Sequence, residues 1–212
     1  MKVIEKRPSV APKHFHSITD RSGRIQRQVI SQLADRLIDV CAAIDKGADL
    51  AARFNKVAGS LESVRRDRLE TSLSAARGAL RDAGVSLHLL TLGHLNASLS
   101  MLRESAESLC LAYLVKHEPT VELLGRRIEL GAASRALHRH HDLGPDQEIA
   151  DRLFALIDRL KASLSAERRV FLGSNFDRNR IPEYYLQLEN IKRVSDQVVA
   201  LLKELLLVET AK

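Results

Sequence analysis

The chain has 212 residues, a net charge of +6, few aromatic residues and no tryptophan. That length supports one domain or slightly more, with room for a real hydrophobic core, and the Leu- and Ala-rich balance favours helix over sheet. Its two cysteines, Cys41 and Cys110, lie on helix-periodic segments, which excludes a disulfide framework or a CxxC metal pair; no apolar run reaches membrane-span length.

Residues 1–17 hold Pro8, Pro12 and several charges without periodicity, and they read as a flexible basic arm. They lack the apolar core of a signal peptide, and free thiols suit a reducing compartment, so a cytoplasmic location is expected. Residues 18–212 read as a single helical bundle domain. Ser17 with Asp20 resembles a capping box, and the first helix then carries Ile25, Val29, Leu33, Leu37, Val40 and Ile44 inward until Gly47 stops it. A second helix is predicted from near Asp49, through Leu50, Phe54, Val57, Leu61 and Val64. Its comb slips by one residue across Arg65–Arg68 and resumes at Leu69, Leu73, Ala76 and Leu80, which predicts one long bent helix closing near Gly84.

The Leu92–Val115 segment is apolar at Leu95, Leu99, Leu102, Ala106, Leu109 and Tyr113, with a wide flanking arc, and predicts the central helix of a bundle. Within its arc lie Arg103 and Glu107, four residues apart, read as an ion pair that fixes helix register. Pro119 ends it. Thr120 is the predicted N-cap of a fourth helix reaching His141, Pro145 opens a fifth through Ile149, Leu153, Leu156, Leu160 and Leu164, and Pro182 opens a last one through Tyr185, Leu188, Ile191, Val198, Leu202 and Leu205. The predicted fold is an all-α, up-and-down bundle of five to six mostly antiparallel helices with a disordered N-terminal arm.

Chemistry is sought in SRALHRHHD, Ser134–Asp142. Projected from Leu124 at the helical period, Arg135, His138 and His141 continue the inward stripe of Val121, Leu124, Ile128 and Gly131. A guanidinium beside imidazoles that titrate near neutrality suits RNA cleavage: an imidazole moves the 2′-hydroxyl proton and the arginine stabilises charge on the phosphate. The competing reading is a cationic cap on a helix C-terminus. A zinc site at His138, His141 and Asp142 lacks further ligands, and neither metal nor cofactor is expected. Positive charge gathers at Arg65, Arg66 and Arg68 and in the loop at Arg178 and Arg180, which are candidate contacts to a nucleic-acid backbone or parts of a solvated face.

Two features resemble the HEPN-like superfamily of helical bundles from toxin–antitoxin and phage-defence systems. The central helix, HLNASLSMLRESAESLCLAYLV, carries a Leu-Arg-x-x-x-Glu pattern, and an Arg-x(4–6)-His spacing occurs at Arg135 with His140 or His141 and at Arg81 with His88. The resemblance implies an RNA-directed, metal-independent ribonuclease working as a homodimer. In that reading Arg135 stabilises the scissile phosphate and His141 is general acid or base. The rival expectation is a non-catalytic interaction module that binds a partner protein or a nucleic-acid backbone. A shared cleft around Arg135, His138 and His141 favours the enzyme; a solvent-exposed helix end favours the module.

Overall fold

The apolar comb that begins at Ile25 continues without interruption to Phe54, and it folds as one helix. The computed structural model of the chain describes residues 13–57, 63–118, 128–167 and 178–210. Six α-helices lie in them: α1 (Lys13–Val57), α2 (Ser63–Thr91), α3 (Leu95–His117), α4 (Leu130–His138), α5 (Gln147–Glu167) and α6 (Ile181–Thr210). Short 3-10 turns at Gly144–Asp146 and Arg178–Arg180 precede α5 and α6, and no strand occurs among the described residues. The all-α bundle is therefore as the periodicity predicts. Pro182 lies in the first turn of α6 as expected, whereas Pro145 lies in the 3-10 turn that leads into α5 rather than in α5 itself.

Several boundaries differ from prediction, each for a local reason. Residues 13–17, predicted as part of the arm, are the first turn of α1; residues 1–12 lie outside the described residues. Gly47 does not end α1, which passes through it to Val57. A Cβ there would lie 2.7 Å from Cδ2 of Leu80, so this glycine permits the close approach of α2 instead. The long bent helix predicted from Asp49 to Gly84 is not formed, because its first turns belong to α1 and α2 begins at Ser63. The stop for α2 is Gly93, at φ +84°. There His94 N–H donates to Leu89 O and Gly93 N–H to Leu90 O, both at 2.9 Å, the two bonds of a Schellman ending.

Cross-helix contacts give the helix directions. Gly47 meets Leu80 while Arg77 donates to Ala51 O, so α1 and α2 are antiparallel. The Gly93 turn makes α2 and α3 antiparallel, and the Lys161–Glu107 and Lys116–Asp146 pairs do the same for α3 and α5. By contrast, Tyr184 reaches Gly93 and Glu204 reaches Lys116, so α6 lies parallel to α3. Helices α1, α2 and α3 thus alternate in direction, and α6 packs parallel to α1 and α3 and antiparallel to α2. Tyr184, not Tyr185, is the buried aromatic that begins α6; Tyr185 lies outside and donates to Gln32 O on α1.

α2 and α3 share the most extensive helix interface, and small residues make it. Ser72, Ala79 and Ser86 recur by heptads on α2, opposite Ala112, Ser105 and Ser98 on α3. Ser72 donates to Ala112 O at 3.0 Å, Ser105 to Ala79 O at 2.7 Å and Ser86 to Ser98 O at 2.8 Å. A side chain as short as serine reaches a facing main-chain carbonyl only where two backbones are very close. Gln187 of α6 donates to Ser98 Oγ at 3.1 Å, tying a third helix to the same polar seam.

Replacing Ser105 tests this seam. Ser105→Leu forces the helices apart and is expected to cost about 1–3 kcal/mol, a Tm fall of roughly 2–12 °C. Ser105→Ala removes only one hydrogen bond and should cost about 1 kcal/mol in thermal unfolding.

Candidate functional site

α4 is shorter than predicted, and this relocates its side chains. Glu129 is extended (φ −60°, ψ 139°), so the helix starts afresh at Leu130. A phase projected from Leu124 is lost across that break, and residues 119–127 lie outside the described residues. The inward positions of α4 are Ala133, Ser134 and Leu137. Arg135 and His141 are exposed. His138 is also exposed; its Nδ1 lies 3.1 Å from Asp151, and its ring stacks on Phe154 with centroids 4.3 Å apart. The predicted inward stripe of Arg135, His138 and His141 is thus corrected: all three are exposed to solvent. Among the described residues no group of three or more His, Cys, Asp or Glu side chains is arranged to hold a metal ion.

The predicted Arg103–Glu107 pair does not form either. α3 is buried on every side from Ser105 to Cys110, which draws Glu107 inward, whereas Arg103, one turn earlier, turns to Glu104 at a wetter position. The Glu107 carboxylate accepts the Ser134 N–H at 3.1 Å and the Ser134 hydroxyl at 3.2 Å, with Lys161 Nζ 3.7 Å away. It fastens α4 and α5 to α3. Burial, reinforced by the Glu107 charge, pushes the neighbouring Cys110 thiol up, so this cysteine is an inert core residue.

A dense group of ionisable side chains among the described residues lies where α3 ends, beside the turn before α5, and sequence reasoning did not find it. Asp146 is almost fully buried, and one of its oxygens accepts both Lys116 Nζ at 2.6 Å and His117 Nε2 at 2.7 Å. Lys116 also donates to Glu204 of α6 at 2.6 Å and lies 5.6 Å from the centre of the Tyr113 ring. His140, following α4, brings its ring to 6.1 Å from that of His117 and its Nε2 to 3.8 Å from Glu118. Burial opposes the Lys116 ammonium, but the hydrogen bonds to Asp146 and Glu204 outweigh it and hold the group above its ordinary value of 10.5. A histidine oriented by a buried aspartate is the arrangement of a general base. Here the same carboxylate is also neutralised by a lysine, which makes the cluster first of all a tie between α3, α6 and the α5 approach. The available sequence signals were Lys116 and His117 at the end of α3 and an Asp directly after Pro145.

Of the basic candidates, only Arg180 has a described side chain. Arg65, Arg66 and Arg68 lie on the opening turns of α2 and Arg178 in the turn before α6, with side chains outside the described residues. Arg180 donates its Nε to Glu183 at 2.9 Å.

Two variants report on these networks. Glu107→Ala strands the buried Ser134 donors and should cost about 1–3 kcal/mol, or roughly 2–12 °C in Tm, with Glu107→Gln milder. Lys116 has a raised folded-state value, so its stabilisation is fully present below pH 10.5 and is lost as pH rises through that higher value. Lys116→Met should therefore flatten the alkaline fall of Tm above pH 10.5, measured by thermal melts across that range.

Compared with family models, with curated proteins and with solved structures, the chain matches none.

Proposed function

We propose that the chain is a non-catalytic helical interaction module that binds a partner protein through the outer side of α1. The observation carrying this reading is a row of exposed apolar side chains on that helix, led by Ile38 at 68% exposure. An isolated exposed isoleucine is unremarkable, but alignment with others along one helix face is the pattern of a binding surface. The exposed positions of Arg135, His138 and His141 support the same reading, since they meet the solvent-exposed helix end expected of a module.

A second reading has one specific observation in its favour. The His117–Asp146 pair with the His140 ring beside it offers an oriented base and a second imidazole, groups that could move protons in RNA cleavage. In that reading His117 and His140 replace His138 and His141 as the catalytic groups. Incubation of purified protein with structured RNA decides between the two. RNA is expected to stay intact; cleavage that disappears in His117→Ala and in His140→Ala would overturn the module reading.

A further inference from the structure

The core stripe of α1 is Val29, Leu33, Leu37 and Val40. One residue on from each, about 100° round the helix, lie Ile30, Ala34, Ile38 and Cys41, all exposed. This second stripe is bounded by opposite charges, Arg27 at one end and Asp45 at the other. Neither takes an ion-pair partner among the described residues.

The spacing of positions 27, 31, 34, 38, 41 and 45 reads the same in both directions about the level of residue 36. Two such helices laid antiparallel across a two-fold axis at that level would set Arg27 opposite Asp45 of the other copy, Ser31 opposite Cys41 and Ala34 opposite Ile38, each pair occurring twice. Ile30 would meet Ala42. Isoleucine knobs then face alanine-sized holes, and each end closes with a cation against a carboxylate. We infer that the outer face of α1 binds a second copy of this chain in this antiparallel register, an inference that deepens the interaction-module reading and rests on it. A single helix pair over residues 27–45 is about 27 Å long. That is a small interface, so the dimer is expected to dissociate in the micromolar range.

Sedimentation of the full chain from about 1 to 100 μM, a span that brackets micromolar dissociation, tests the pairing. Wild type should move from monomer to dimer. Ile38→Asp and Asp45→Arg should each weaken association by about tenfold or more, with the Tm of the dilute monomer unchanged because both positions are exposed. The double variant Arg27→Asp with Asp45→Arg should restore the dimer.

The register has its own test. Two Cys41 residues would lie about 15 Å apart along the axis, beyond disulfide reach. Ser31→Cys should instead form a covalent dimer on mild oxidation, lost again when Cys41→Ser is added. A wild type that is monomeric throughout overturns the inference, as does a dimer indifferent to Ile38→Asp and Asp45→Arg, or one that oxidises readily through Cys41 alone. A monomer that leaves RNA intact retires only the choice of partner, whereas RNA cleavage lost with His117→Ala retires the module reading itself.

Discussion

The close approach of α2 and α3 is the constraint that the rest of the bundle obeys. Three serine-to-carbonyl bonds at heptad intervals hold the two backbones together, and they tolerate nothing much larger than serine or alanine between them. Such bonds add little net stability each, but they fix register: a slip of one residue would carry every hydroxyl away from its carbonyl and present larger side chains to the seam. With the hairpin thus set, α3 has one flank closed, and α4, α5 and α6 must cover the remainder.

That burial explains the behaviour of the charges on α3. A carboxylate on a helix enclosed all round must find donors inside, and Glu107 finds them on Ser134 of α4, with Lys161 of α5 approaching from outside. At the far end of the helix, where solvent returns, Lys116 and His117 converge on Asp146, and Lys116 reaches Glu204 as well. Glu107 therefore ties this helix to α4 and α5, and Lys116 ties it to α6 and the turn before α5. The ionisable residues that look catalytic in composition are mostly occupied in joining helices, while the outer side of α1 stays uncommitted.

Periodicity made the fold class and the central helix legible, because an apolar stripe at helical spacing has one physical solution. Boundaries were less legible where a residue's role depends on a remote neighbour. Gly47 looks like a helix stop in isolation; its need is set by Leu80 on another helix. The site suffered more. The inward phase of α4 could not be carried through an extended residue at Glu129, so the Arg135–His138–His141 stripe was rotated onto the wrong face. The Lys116–Glu204 bond joins residues on helices far apart in the chain, and no local pattern announces it.

The hydrogen bond from Tyr185 to Gln32 O joins residues 153 positions apart, and α1 and α6 pack against one another around it. Synthesis proceeds at roughly 5–20 residues per second, so α1 emerges on the order of 10 s before the helix that completes its shelter. Throughout that interval Val29, Leu33 and Phe54 have only the later-arriving α2 to turn to. The order of manufacture leaves the longest helix half covered until the last one arrives, and the nascent chain has most need of protection from aggregation in that window.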